Sequence, residues 1–323
     1  MHITNNTGIS LPLAVWLIDD NYDYVNEPNY ISATGLMKPL RHIILPRRVT
    51  ERTAPDVTDF ISRALGHSLH DSIEKAWLKN SKRNLALLGF PESVQERILI
   101  NPTPEELNQK ENAIPIYLEK RNVRSLGKYR IGGKFDMVAD GIVNDYKSTT
   151  AFTWMHGTRD DKHALQGSIY RWLNPDKVTE DFIRINYIFT DWQKFSAKSN
   201  PAYPQQRVQH KDIPLLSIAE TEQWMRNKLA LVDKYMDADE ADIPECTDAE
   251  LWRSDPVYKY FSDPTKTSGR SSKNFDDAAS ARVYMVEKGG KGIVKAVPGE
   301  VKRCGYCDAF SVCTQKDRYQ TND

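Results

Sequence analysis

Between residues 56 and 78, apolar side chains recur at Phe60, Ile61, Ala64, Leu65, Leu69, Ile73, Ala76 and Trp77. That is the three- and four-residue spacing of one helix face, and Pro55 just ahead of it is a start signal, so the pattern predicts a long helix. Residues 129–137 and 142–146 follow a different rule: two β-prone runs flank Asp140-Gly141, the turn chemistry of a two-residue hairpin. Residues 182–189 alternate and are rich in β-branched and aromatic side chains, which predicts a third strand. Between them, residues 163–172 return to helical spacing and stop at Asn174-Pro175, where the position before proline disfavours helix. Further on, residues 276–287 predict a helix and 293–297 a strand. Strands, helix and strand in that order imply an α/β domain around a mixed sheet.

The chain has 323 residues, room for about two ordinary domains. With 40% hydrophobic and 27% charged residues it has the composition of a folded chain. Its 44 basic and 44 acidic side chains cancel, and that total points away from a nucleic-acid partner. Segment by segment the picture reverses. Residues 119–134 carry six bases (Lys120, Arg121, Arg124, Lys128, Arg130, Lys134) against one acid; residues 233–255 carry nine acids against two bases; residues 257–303 carry ten bases against five acids. The last stretch includes the Ser/Gly/Lys-rich residues 266–273, which read as a loop. The acidic stretch marks a boundary, giving a first domain over residues 1–232 and a C-terminal module over 233–323. The apolar run at residues 9–18 contains Ser10 and Pro12 and ends at Asp19-Asp20, far short of the roughly 20 residues of a spanning helix. With no basic leader or cleavage site beside it, the expectation is a protein without a membrane partner, cytoplasmic (host cytoplasm if phage-encoded), its four cysteines reduced.

The hairpin yields the sharpest inference. With Asp140-Gly141 as its loop, Ala139 faces Ile142, Val138 faces Val143, Met137 faces Asn144, and Asp136 faces Asp145. Two carboxylates meet, an unfavourable pair unless a counter-ion, a shared proton or solvent relieves it. A divalent cation does so, and Lys147, two residues past Asp145, projects on the same side. Oxygen ligands with open positions suit Mg2+ or Mn2+. The chemistry that needs this set is phosphodiester hydrolysis: carboxylates hold the metal, the metal polarises the phosphate and acidifies a water, and the ammonium orients that water or offsets charge. Asp136, Asp145 and Lys147 are the candidate catalytic residues. Two exposed aspartates and a solvated lysine at a turn are the plain alternative.

Three features add weight. His70 and Glu74 share a face of the long helix, so one of them is placed to reach a metal or substrate. Gln166 and Tyr170 share a face of the next helix and are candidates for binding a phosphate or base. Glu119 precedes the hairpin as a possible additional acid. In order, Gly66-x-x-x-His70, Gly133-Lys-Phe-Asp136, Asp145-Tyr-Lys147 and Gln166-x-x-x-Tyr170 resemble the RecB-like branch of the PD-(D/E)XK nuclease superfamily, to which phage exonucleases and CRISPR-adaptation nucleases belong. The set spans 105 residues. The segment Ile31-Ser-Ala-Thr-Gly-Leu36 resembles the Ser-x-Thr start of that branch and extends the likeness to 140 residues. Asp145 stands where many members carry Glu. The resemblance implies a restriction-endonuclease-like mixed sheet flanked by helices. It further implies that His70, Asp136, Asp145 and the Tyr146 carbonyl are metal ligands, that Lys147 is catalytic, and that Gln166 and Tyr170 support substrate binding.

The cysteines form a second signal. Cys304-Gly-Tyr-Cys307 followed by Cys313 gives Cys-x2-Cys-x5-Cys, and Cys246 is the fourth and last cysteine. Close thiolate pairs suit zinc or an iron-sulfur cluster, and spacing does not choose between them. Several RecB-like nucleases carry an iron-sulfur cluster on such a tail with one distant cysteine, so the resemblance favours 4Fe-4S, with Zn2+ the alternative. In those relatives the distant cysteine precedes the nuclease core, whereas Cys246 follows it. Lys288, Lys291, Lys295, Lys302 and Arg303 lie near this tail as candidates for tracking a phosphate backbone.

The expectation is thus a Mg/Mn-dependent deoxyribonuclease, an exonuclease serving DNA recombination, replication or processing in a phage or bacterium. DNA is its partner, together with a recombination or replication protein. The alternative is a catalytically inactive DNA-binding or scaffolding protein that keeps the nuclease fold.

Overall fold

The computed structural model describes residues 2–51, 54–157 and 159–319. The chain divides into two compact units: Met1–Met37 with Arg52–Leu229, and Lys38–Glu51 with Ala230–Asp323. The expected boundary at 232/233 falls close to this division, but the assignment of residues 38–51 to the first domain is corrected. Leu40, Ile44 and Leu45 from that segment are buried in one cluster with Val232, Ile243 and Ala309. Apolar burial, rather than chain order, decides which unit it joins.

The first unit opens with helix α1 (Leu11–Ile18), strand β1 (Tyr30–Ser32) and the single turn α2 (Ala33–Leu36). The Ser32 hydroxyl caps α2 by accepting from the Gly35 N–H at 3.0 Å, which gives the Ser-x-Thr segment a structural reason of its own. Helix α3 (Leu40–Ile44) follows within the second unit. A 3-10 turn, Val57–Phe60, capped by Asp56, leads into α4 (Ile61–Leu87). The helix therefore starts five residues after the expected range of 56–78 begins and ends nine residues beyond it. Next come α5 (Glu92–Arg97), β2 (Ile98–Ile100), α6 (Pro104–Gln109), β3 (Ile114–Leu118), β4 (Arg121–Leu126), β5 (Tyr129–Lys134), β6 (Met137–Ala139) and β7 (Ile142–Thr149). After α7 (Ala151–His156) and α8 (Asp160–Leu173) lie β8 (Phe182–Phe189), α9 (Lys194–Ser199) and β9 (Val208–Pro214), and α10 (Ile218–Tyr235) carries the chain into the second unit.

A six-stranded mixed sheet, β2-β3-β6-β7-β8-β9, forms the centre of the first unit. β7 and β8 are parallel, β6 and β7 antiparallel. The hairpin register is the predicted one, with Met137 opposite Asn144 and Ala139 opposite Ile142. Asp140 and Gly141 both take positive φ, 52° and 73°, the primed turn that matches strand twist. β8 buries Ile183, Ile185, Tyr187 and Phe189 in alternation, and α8 covers it with Ile169, Trp172 and Leu173.

One expected element splits. Residues 129–137 are not a single strand: β5 belongs to a small sheet, β1-β5-β4, and β6 to the large one. The change occurs at Phe135-Asp136. Phe135 is fully buried in the core, while Asp136 leaves the ladder and accepts the Tyr146 N–H on its carboxylate at 3.2 Å. Asp136 and Asp145 are therefore not paired strand neighbours.

In the second unit, β10 (Val257–Phe261), β11 (Lys273–Phe275), α11 (Ala278–Glu287) and β12 (Ile293–Val297) make an antiparallel sheet, β11-β10-β12, with a helix on it. Tyr284 of α11 packs edge-on against Tyr260. The helix and last strand match the sequence pattern, and residues 266–272 are the loop between β10 and β11. Among the described residues, no helix is long and apolar enough to cross a membrane.

Candidate metal centre and cysteine cavity

The two sheets of the first unit meet where the chain passes from β5 to β6, and a cleft of about 710 Å³ opens there, lined by residues including His70, Glu119, Asp136, Asp145 and Lys147. Three of these converge. One ligand atom each from His70, Glu119 and Asp136 lie within 4.8 Å of one another, and this is the only such His/Cys/Asp/Glu group among the described residues. His70 projects from α4. Its Nδ1 is 3.2 Å from Asp136 Oδ1, and its Nε2 is 3.2 Å from the Tyr146 carbonyl oxygen. One imidazole thus touches β7 and the residue just ahead of β6. Glu74, its helix-face companion, does not line the cleft. Burial lowers the His70 pKa, but the Asp136 carboxylate outweighs it and the net shift is upward.

Glu119 comes to the centre through non-local pairing. Leu118 pairs with Met137, and the Glu119 N–H donates to the Asp136 carbonyl at 3.0 Å, so the two acids sit at the end of one ladder. Glu119 has φ 48°, a left-handed conformation that a long side chain adopts at a cost of roughly 1–2 kcal/mol. Such strain concentrates at functional positions. Burial raises its pKa, against the pull of Lys134, whose ammonium lies 2.8 Å from it.

Asp145 and Lys147 flank this group. Asp145 is only 2% exposed, and burial raises its pKa, opposed by Lys147. Lys147 Nζ lies 2.8 Å from Asp145 Oδ2, as the shared strand face predicts. The Lys147 ammonium is thus the direct counter-charge of this buried carboxylate. Burial pulls the Lys147 pKa down, but Asp145 and Asp136 more than compensate, so the ammonium keeps its proton. Gln166 Nε2 donates to the Tyr170 hydroxyl at 2.9 Å. Tyr170, buried against Phe135, has its pKa pushed up by desolvation and so keeps an O–H to donate. His70, Glu119, Asp136, Asp145, Lys147, Gln166 and Tyr170 line one cleft, with Glu119 inside the tight group and Asp145 tied to Lys147, whereas Tyr146 does not line it and meets the group through the carbonyl that faces His70.

An aromatic and cationic wall that no sequence motif marks completes the cleft. Tyr22, Tyr24, Tyr30, Arg121 and Lys134 also line this cleft. Arg121 and Lys134 were visible only as two of six bases in a run. Arg124 instead donates to the Trp172 carbonyl, and Arg130 pairs with Glu27.

In the second unit all four cysteines are free thiols on one small cavity. Cys246, the distant one, is held to the triplet by Gln315: its N–H donates to Gln315 Oε1 at 2.9 Å and its carbonyl accepts from Gln315 Nε2 at 2.8 Å. Burial pushes its thiol pKa up to about 12. Arg41, 3% exposed, donates to Cys313 Sγ at 3.4 Å, to Pro244 O at 3.2 Å, to Ile243 O at 2.9 Å, and to both the carboxylate and carbonyl of Glu240. All five of its N–H groups are used. His42 Nε2 lies 3.4 Å from Cys307 Sγ. Neither Arg41 nor Gln315 carries a sequence signal, since their partners are distant in the chain.

No protein-family profile and no curated protein matches this chain. Among solved structures, it is similar to one described as "Crystal structure of SSO0001", with 18% identity, a TM-score of 0.37, and coverage of 65% of this chain and 79% of that one. At that TM-score the likeness carries no inference about fold or activity.

Proposed function

We propose that this chain is a Mg2+- or Mn2+-dependent deoxyribonuclease of restriction-endonuclease-like fold, an exonuclease, with a cysteine-held cluster in its second unit. The observation that carries the reading is the joint presence, on one cleft, of the His70–Glu119–Asp136 group and the Asp145–Lys147 pair. The residues fit a hard divalent cation. Carboxylate oxygens with one imidazole nitrogen suit Mg2+ or Mn2+, and the buried Asp145 carboxylate beside Lys147 adds further oxygen to the donor set. His70, Glu119, Asp136 and Asp145 would hold it, with the Tyr146 carbonyl beside them. When bound, such a cation supplies Lewis-acid polarisation of a phosphate and a more acidic water.

The chain's own groups do the rest. Lys147, kept charged by two carboxylates, offsets negative charge developing on the phosphate. Tyr170 accepts from Gln166 and is left with its own O–H to donate to substrate. One His70 ring nitrogen would serve as the ligand, and the other would keep its contact to Asp136 or to the Tyr146 carbonyl, holding the helix in register with the acids.

The four thiols fit a thiolate-bound group. A single tetrahedral zinc at about 2.3 Å from each sulfur draws the sulfurs within about 4 Å of each other. A 4Fe-4S cluster holds its four sulfurs further apart, and it is the likeness of the Cys-x2-Cys-x5-Cys tail to RecB-like nucleases that favours it. Protein purified without oxygen is expected to be brown, with absorption near roughly 400 nm; a colourless, zinc-containing preparation would reverse this choice.

Digestion of end-labelled single-stranded, double-stranded and circular DNA with Mg2+ or Mn2+ tests the activity. Lys147→Ala and Asp136→Ala should each lower cleavage by about 100-fold or more with unchanged circular dichroism, and circular DNA should persist. Cleavage at the wild-type rate by either folded variant would falsify the site.

A further inference from the structure

Arg121 and Lys134 are direct partners across the β4–β5 ladder. Two like charges opposite one another on a sheet repel unless an anion lies between or beside them. In this structure the anions are the chain's own. Asp23, from the segment between α1 and β1, grips Arg121 with both carboxylate oxygens: Nη2 to Oδ1 at 2.8 Å and Nε to Oδ2 at 3.1 Å. Its Oδ1 is also 3.8 Å from Lys134 Nζ, and Glu119 holds Lys134 from the other side. Tyr30 accepts from Arg121 Nη1 at 3.0 Å. The Tyr22 ring lies against both cations, 5.4 Å from the Arg121 guanidinium carbon and 5.1 Å from Lys134 Nζ. All but Asp23 line the cleft of the metal centre.

A planar guanidinium that binds a carboxylate through two parallel N–H groups presents the same fork to a phosphate. The side chain now on that fork is the solvated member of the group: Asp23 is 64% exposed, whereas Arg121 is 16% and Lys134 22% exposed. Arg121 Nη2 also donates to the Asp23 carbonyl at 2.8 Å, which holds the segment in place, while the solvated carboxylate itself can give way to a phosphate of greater charge attracted to the cleft. We propose that Arg121 and Lys134, backed by Tyr22 and Tyr30, form a phosphate-binding subsite for the nucleic-acid strand beside the metal centre, and that Asp23 occupies it in the free chain as a carboxylate stand-in. The proposal rests on the nuclease reading for its ligand and extends it, because the site binds whether or not the strand is cut.

Binding therefore supplies the test. The full chain is titrated against a fluorescein-labelled single-stranded oligonucleotide, with and without a 5′-phosphate, in EDTA so that cleavage does not interfere, and anisotropy is read over a salt series. Asp23→Asn should tighten binding by roughly 2- to 5-fold, the size of an exposed ion pair removed from the competition. Arg121→Gln and Lys134→Gln should each weaken it by about 10-fold and lower the salt slope by about 1. The gain with Asp23→Asn cannot arise from misfolding, and circular dichroism checks the two losses. Variant effects confined to the 5′-phosphorylated strand identify a terminal phosphate, and equal effects on both strands an internal one. Unchanged affinity in Asp23→Asn together with unchanged affinity and salt slope in Arg121→Gln overturns the subsite, as does a wild-type chain that binds neither strand. The predicted variant pattern in a chain that cleaves nothing with Mn2+ upholds the subsite and rejects the nuclease reading.

Discussion

At the scale of single residues, the first unit keeps a buried histidine neutral. His163, in α8, is 6% exposed; desolvation, with the Lys147 ammonium as the next cause, pushes its pKa from 6.5 down to about 4. A folded-state pKa below the unfolded one means that the unfolded chain takes up the proton first. The stability His163 contributes is therefore complete above pH 6.5 and is lost as pH falls toward 4, by up to about 3 kcal/mol. His42 behaves alike in the second unit, its pKa brought to about 4 by desolvation and the Arg303 charge. Urea midpoints measured between pH 4 and pH 7 should fall with acid, and His163→Gln should flatten that dependence; an equal slope in the variant would assign the acid sensitivity elsewhere.

At the scale of elements, the contact between β5 and α8 sets the back wall of the candidate site. A Cβ at Gly133 would lie 2.7 Å from Leu173 Cδ1 and 3.0 Å from Tyr170 Cε1, so even one methyl group displaces these two side chains of α8. Gly133→Ala should cost about 1–3 kcal/mol by overpacking and disturb the Gln166–Tyr170 pair, visible as a lowered melting temperature with altered near-ultraviolet dichroism. An unshifted melting temperature would show that α8 yields freely. Much of this level was legible in the sequence. Asp140-Gly141 fixed the hairpin register because the turn is two residues long, and that register put Lys147 beside Asp145. The alternation of residues 182–189 gave β8 for the same local reason. What was not legible depends on distant pairing. Nothing in residues 129–137 marks the passage between sheets at Phe135-Asp136, and Glu119 reaches His70 only because β3 pairs with β6. Likewise, Lys38–Glu51 joins residues beyond 230 through apolar burial and the bonds of Arg41, partners that no local period announces.

At the scale of the whole molecule, the two candidate inorganic sites fall in different units, one built of oxygen with a single imidazole and the other of sulfur. Their responses should separate. EDTA should stop cleavage, with recovery on adding Mn2+, while the visible absorption of the second unit stays unchanged. Cys246→Ser should remove that absorption and bound iron. Retention of full iron in the serine variant would exclude Cys246 as a ligand, and loss of the absorption on brief EDTA treatment would refute the separation. The zero net charge also acquires a spatial meaning. Arg121 and Lys134 already have carboxylate partners, so part of the neutrality is local compensation within the cleft, not merely a sum over remote segments.

The left-handed backbone at Glu119 sets durability against capability at one position. Glycine adopts that conformation freely and alanine does not, yet both abolish the carboxylate and its bond to Lys134. Glu119→Gly should therefore be more stable than Glu119→Ala by about 1 kcal/mol, while both lose Mn2+ affinity equally in calorimetric titration. Equal stability of the two variants would show the backbone to be relaxed there. Glycine would relax the backbone at this position and forfeit both the Lys134 ion pair and the oxygen that faces His70 and Asp136.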